Sequence, residues 1–281
     1  MRMKKNLVRL SLLATACSAM VGALAGPSHA ATVGGTVQVV GNKVVYNGAG
    51  NAANSIEVMH GGTVIIVLET SAALSISAGT GCTQINDKNV HCPVRELEVN
   101  LGGGSDKFTV GGPQAFGIAT TVRGGDGIDT YQGGRDPGSS RVTFIGGPGA
   151  HDTADYSRAT SRVLVDLGTQ AGNDADDGRD ANGDADNIHS DVETLTGSDF
   201  ADSLRGNENN NQILGGKGRD AMRGGPGDDI LYAYVPGPPP NYTVTPEADS
   251  TDLSCGAGTD ALYVDSADPA ASECETRQVV G

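Results

Sequence analysis

Glycine, aspartate and one aliphatic residue recur every nine positions between Gly197 and Tyr232. The first unit is Gly197-Ser-Asp199-Phe-Ala-Asp202-Ser-Leu204-Arg, and the second is Gly206-Asn-Glu-Asn-Asn-Asn211-Gln-Ile213-Leu. The third is Gly215-Gly216-Lys-Gly218-Arg-Asp220-Ala-Met222-Arg, and the fourth is Gly224-Gly225-Pro-Gly227-Asp-Asp229-Ile-Leu231-Tyr. Position 1 is always Gly, position 6 is Asp or Asn, and position 8 is aliphatic. Glycine permits positive φ and leaves neighbouring carbonyls unobstructed by a Cβ. A turn of this composition can aim backbone oxygens at one point, and position 6 adds a hard carboxylate. That is the chemistry of Ca²⁺, which takes about 6–8 oxygens at roughly 2.3–2.6 Å. Soft or borderline metals are disfavoured, because the donors are all oxygen and the five histidines are scattered. His151 interrupts one unit and reads as a bulge, not a ligand.

The same frame recurs at Gly124-Gly125-Asp-Gly127-Ile-Asp129-Thr-Tyr131, followed nine residues on by Gly133-Gly134. Weaker copies are Gly102–Phe108, Gly146–Asp152 and Cys255–Leu262, which carry Asp106, Asp152 and Asp260. The repeat resembles the G-G-x-G-x-D-x-U-x nonapeptide of hemolysin-type (repeats-in-toxin, RTX) calcium-binding proteins. The layout is similar to small secreted bacterial proteins of that type. The resemblance implies an all-β fold, a parallel β-roll or β-solenoid preceded by a small strand-rich region. It also implies calcium at Asp202, Asp220, Asn211, Asp229, Asp129, Asp106, Asp199, Asp260 and Asp152. The supporting glycines would be Gly197, Gly206, Gly215, Gly216, Gly218, Gly224, Gly225, Gly227, Gly124, Gly125 and Gly127. Two units would close one turn of the solenoid, so units 18 residues apart stack. Asp202 should then face Asp220 on one side, and Asn211 should face Asp229 on the other. The second side has one charge fewer and is expected to bind more weakly. A glycine-rich solenoid that folds without metal is the competing reading.

The elements that must hold these turns follow from composition. Residues 31–100 carry β-branched runs, such as Thr36–Val40 and Thr63–Leu68, punctuated by Gly-Asn and Gly-Gly. The Gly/Asp-rich roll is expected over 101–232, with an acidic insert at 172–191. A Pro-rich loop follows at 233–252 and a closing repeat at 253–281. Within the insert, Asp180, Asp184, Asp186 and Asp191 resemble half of an EF-hand-like or dockerin-like loop, but Ala185 stands where that loop needs Gly. A solvated acidic loop is the alternative.

Residues 1–30 read as a secretory signal peptide. Arg2, Lys4, Lys5 and Arg9 precede an apolar run, and Ser28-His29-Ala30 suits cleavage. A retained anchor or a lipoprotein cut before Cys17 are the alternatives. RTX proteins usually leave by a C-terminal signal, so haemolysis and its exporter do not follow from the resemblance. Of the remaining cysteines, proximity favours Cys82–Cys92 and Cys255–Cys274 among three possible pairings. A zinc site is the rival, although no C-x-x-C pair exists.

The full chain has 281 residues and a net charge of −15. Without residues 1–30, 15 basic and 34 acidic residues leave −19. That balance disfavours nucleic acid and anionic membrane surfaces, and no stretch reads as a membrane insertion. With Trp absent and aromatics at 4%, a large aromatic core is not expected. No nucleophile elbow, zinc-protease helix, Walker loop or Cys–His pair is present, so no enzyme is expected. The sequence therefore points to a secreted, non-catalytic calcium-binding protein. A cell-surface or matrix adhesion module for a glycan or protein is the alternative, and a secreted hydrolase is a weaker one.

Overall fold

The computed structural model describes residues 32–112, 116–134, 141–149, 151–168, 179–180, 186–233, 250–268, 271 and 273–280. The signal segment, Asp174 to Asp177, Asp184 and the Pro-rich stretch 234–249 lie outside the described residues. Among the described residues there is no helix. The strands form three sheets of twelve, seven and five strands.

The chain winds as a flattened parallel roll. One face is continuous, and nine of its strands stack in parallel. They run from Ser55–His60 through Lys107–Val110, Thr130–Gln132, Thr153–Asp155, Thr194–Thr196, Gln212–Leu214, Ile230–Ala233 and Ala261–Val264 to Thr276–Val279. The opposite face is divided between the seven- and five-stranded sheets. The all-β, parallel architecture expected from the repeats is present.

The winding is not uniform. Between Thr194 and Tyr232 the stacked partners are 18 residues apart, as with Asp202 and Asp220 or Asn211 and Asp229. Between Asp106 and Asp152 they are 23 apart. The wider coils need larger side chains to fill them. Phe108, Tyr131, Phe144 and Tyr156 meet there, with ring centroids 5.7–6.2 Å apart. All four are essentially inaccessible to solvent. A small aromatic cluster therefore exists: the few rings available are gathered where the lumen is wide. In the 18-residue coils the core thins to one aliphatic residue per strand, Leu195, Leu204, Ile213, Met222 and Leu231.

Parallel stacking reaches back beyond the glycine-rich segment. Strand Lys43–Gly48 pairs with Glu96–Gly104, and Ser55–His60 pairs with Lys107–Val110. Antiparallel strands Val64–Glu69, Asn89–Pro93 and Thr83–Asn86 continue the face and cover its N-terminal end. Such caps are what a solenoid needs to shield its terminal core. Cys82 and Cys92 are disulfide-bonded within this cap, and Cys255 and Cys274 are bonded near the other end.

Candidate metal centre

The turns that lead onto the continuous face align in one long edge. The residue just before each of its nine parallel strands is Asn54, Asp106, Asp129, Asp152, Glu193, Asn211, Asp229, Asp260 or Glu275. In most rungs a carboxylate oxygen accepts the N–H of the equivalent residue one coil earlier. Asp106 Oδ1 accepts from Asn54 at 2.6 Å, Asp129 Oδ1 from Asp106 at 2.9 Å and Asp152 Oδ1 from Asp129 at 2.8 Å. Glu193 Oε2 accepts from Asp152 at 3.0 Å. After Asn211, Asp229 Oδ1 accepts from Asn211, Asp260 Oδ1 from Asp229, and Glu275 Oε2 from Asp260, at 2.7–2.8 Å. Asn54, Glu193 and Glu275 escape a search for Gly-Asp repeats. Each precedes its strand by one residue, and for Asn54 and Glu193 the second strand residue is apolar and buried (Ile56, Leu195). An acid or amide two places before an inward apolar residue was the available signal.

Asp152 belongs to this column despite its extra preceding residue. His151 absorbs that residue at φ +78°, as a one-residue bulge. The opposite edge is shorter in regular turns. There Asp220 Oδ1 accepts the Asp202 N–H at 2.8 Å, and Asp202 Oδ1 accepts that of Val163 at 2.8 Å. Asp202 and Asp220 thus face one another, as do Asn211 and Asp229. Asp199 is not brought into either column: it is exposed and pairs with Lys217 at 2.7 Å.

The second oxygen of the aspartates is the notable chemical feature. Asp106, Asp129, Asp152, Asp229 and Asp260 are at most 2% exposed. Each buries an Oδ2 that has no hydrogen-bond partner. A buried carboxylate oxygen without a donor is costly, and it calls for a cation or a proton. Burial drives Asp106, Asp129, Asp152 and Asp229 toward protonation against the pull of their backbone hydrogen bonds. Asp106 and Asp152 are pushed up to about 7 and Asp229 to about 6; the charge of Asp129 adds to the first two, and that of Asp260 to the third. Asp129, Asp202 and Glu193 are raised by burial as well.

Backbone oxygens lie beside these carboxylates. A Cβ on Gly224 would collide with both Asp229 Oδ2 and the Cys255 carbonyl of the next coil; at Gly124 it would meet Asp129 Oδ2 and the Gly146 carbonyl. Gly197 faces Asp202 Oδ2 and the Gly215 carbonyl, and Gly206 faces Asn211 Oδ1 and the Gly224 carbonyl. A Cβ on Gly215 would strike Asp220 Oδ2. Deeper in each turn, carbonyls point along the roll axis at the next glycine: Asn207 at Gly225 and Asn209 at Gly227, Ser198 at Gly216 and Phe200 at Gly218, Gly102 at Gly125 and Gly104 at Gly127. Gly225 and Gly227 take φ of +109° and +129°, which L side chains rarely adopt. Among the described residues no three or more His, Cys, Asp or Glu side chains are placed to hold a metal ion by themselves. An ion here would take one or two carboxylate oxygens and draw the rest from carbonyls. That donor set suits a hard, oxygen-seeking cation.

Two aspartates of the EF-hand-like insert, Asp186 and Asp191, have described side chains. Asp186 is fully buried and accepts from Val142 N–H at 3.1 Å, Tyr131 OH at 2.6 Å and Tyr156 OH at 3.2 Å. Asp191 accepts from the amides of Gly146 and Gly147 at 3.2 and 3.1 Å. Both side chains hydrogen-bond within the roll.

The RTX calcium-binding nonapeptide repeat (4 copies) matches residues 188–222 and 196–231. These residues form the 18-residue coils and include Asp202, Asn211, Asp220 and Asp229. The chain therefore carries RTX calcium-binding repeats, and calcium is their ligand. No curated protein matches the chain.

Proposed function

We propose that this chain is a secreted, non-catalytic protein whose roll is held together by several calcium ions. The ions would lie along the two edges, each between turns stacked one coil apart. The observation that carries this reading is the row of buried, unpartnered Oδ2 atoms at Asp106, Asp129, Asp152, Asp229 and Asp260. It extends the site beyond the matched repeats to the wide coils and the closing turn. One oxygen of each of these carboxylates is occupied by a backbone N–H, which favours a structural role over acid–base catalysis. Secretion is supported by the N-terminal leader pattern and by two disulfides, which persist in oxidising compartments.

The test is a calcium titration of residues 31–281 by calorimetry, with circular dichroism from chelator to about 10 mM Ca²⁺ and Mg²⁺ as control; extracellular sites have constants of about 10⁻⁴–10⁻³ M. A gain of β signal with calcium alone is expected. A complete β signal in chelator, with no heat of calcium binding, overturns the reading.

A further inference from the structure

The first rung of the long edge holds a group of oxygens that the repeats do not account for. Two consecutive amides lead into strand Ser55–His60. Asn54 N–H donates to Asp106 Oδ1 at 2.6 Å, and Ser55 N–H donates to Glu69 Oε1 at 3.1 Å. Asp106 comes from the next coil of the roll. Glu69 ends strand Val64–Glu69, which folds back antiparallel on Ser55–His60 as part of the N-terminal cap. Two carboxylates are thus held on neighbouring peptide groups, one from the cap and one from the roll.

All three side chains are buried: Asn54 is 2% exposed, Glu69 3% and Asp106 2%. Each keeps one oxygen without a hydrogen-bond partner, namely Asn54 Oδ1, Glu69 Oε2 and Asp106 Oδ2. The Asn54 amide nitrogen is already used on the carbonyls of Ala52 and Leu101, at 2.9 and 3.1 Å. That fixes which side of the amide carries the free oxygen. The charge of Glu69 acts on Asp106, and both act on the phenol of Tyr46. The Tyr46 hydroxyl donates to the Gly34 carbonyl at 3.3 Å. Lys88 is the cation that acts on Glu69. Its ammonium has three N–H bonds, and the carbonyls of Ser71, Ala72 and Leu74 take them.

We propose that Asn54 Oδ1, Glu69 Oε2 and Asp106 Oδ2 bind a calcium ion beneath the N-terminal cap. Two carboxylates balance its double charge, and the amide adds a neutral oxygen. Magnesium fits less well, because it gives up water reluctantly and demands near-octahedral geometry. Asn54 and Glu69 lie outside every glycine–aspartate unit, and the matched repeats begin far along the chain at residue 188. The site ties the cap to the first coil, so calcium would also order the end from which the roll is wound. The choice of ion rests on the calcium reading of the repeats; the site does not.

The experiment is native mass spectrometry of residues 31–281 at saturating Ca²⁺, comparing the unaltered protein with Glu69→Gln and Asp229→Asn. Gln keeps the oxygen that Ser55 needs and removes the charge. E69Q is expected to hold one ion fewer than the unaltered protein, with an unchanged circular dichroism spectrum in chelator. An equal ion count overturns the cap site and leaves the repeat sites standing. A single ion, lost in E69Q and kept in D229N, upholds the cap site and overturns the repeat reading. No bound ion overturns both. Should E69Q fail to fold, Tb³⁺ luminescence excited through tyrosine decides. Tyr46→Phe should then lower the emission, and unchanged emission overturns the site.

Discussion

Asn211 shows what one atom does to a rung. Its Oδ1 accepts the Asn207 N–H of its own turn at 2.8 Å, and its Nδ2 reaches the Glu193 carbonyl at 3.4 Å. An amide has only one oxygen, and the hydrogen bond takes one of its two lone pairs, so less is left for an ion and no charge is offered. The aspartates at Asp229 and Asp260 keep a second oxygen. Asn211→Asp supplies the missing donor and a charge, so calcium affinity at that turn should rise about three- to tenfold, given that site affinity scales with ligand charge. Calorimetry on N211D measures this; an unchanged constant would mean that the turn takes no ion. Gly224 is the converse case, since any Cβ there displaces an oxygen. Gly224→Ala should lower the unfolding free energy by about 1–3 kcal/mol through overpacking alone. It should also abolish binding at the Asp229 turn. Urea unfolding in chelator separates the two effects, and an unchanged midpoint there would contradict the tight approach.

A column of buried acids makes the whole edge respond to pH. Asp106, Asp152 and Asp229 have folded-state values raised to about 7, 7 and 6 by burial. A raised acid stabilises the fold when protonated. Its contribution is fully present below the ordinary carboxylate range, near pH 4, and is lost as pH rises through 6–7. In chelator the melting temperature should therefore rise as pH falls from 8 to 5. Calcium binding, which needs the ionised form, should weaken over the same interval. Scanning calorimetry with and without calcium tests both; a chelated protein most stable at pH 8 would show that the ladder is not dry. The ladder also explains what could be read from the chain beforehand. Gly197 to Tyr232 announces its 18-residue stacking because two nine-residue units fill a coil without interruption. The 23-residue coils around Tyr131 do not, since their return turns vary in length and only the turns onto the continuous face keep the Gly-Asp frame. Glu193 and Asn54 stayed hidden for a related reason. The rung requires only an acceptor one residue before the strand, and Glu or Asn can serve. The cap from Val64 to Pro93 reads as strands, but nothing local shows that Glu69 returns to the head of the column.

At the scale of the molecule, two destabilising effects have to be told apart. One is diffuse: a net charge of −19 after removal of residues 1–30 repels itself in the compact state. The other is local: carboxylate oxygens are buried at fixed points along the edges without donors. Simple salt relieves the first, because at about 0.5 M the screening length falls to a few ångströms. It does nothing for the second, which needs an ion or a proton inside the turn. Calcium acts on both. At tenfold above its dissociation constant, each bound ion adds about 1.4 kcal/mol. A few ions then approach the whole stability of a domain, about 5–15 kcal/mol. The two disulfides add to this by limiting the unfolded chain at both ends, and the model of loop closure assigns roughly 3 kcal/mol to loops of such size. Reduction in chelator should therefore lower the melting temperature further than reduction in calcium leaves it. The decisive comparison is about 0.5 M NaCl against about 10 mM CaCl₂ at equal protein concentration. If the local effect dominates, calcium should raise the melting temperature well beyond what NaCl achieves. Equal stabilisation by the two salts would mean that net charge alone governs this fold, and that the buried oxygens are satisfied by protons.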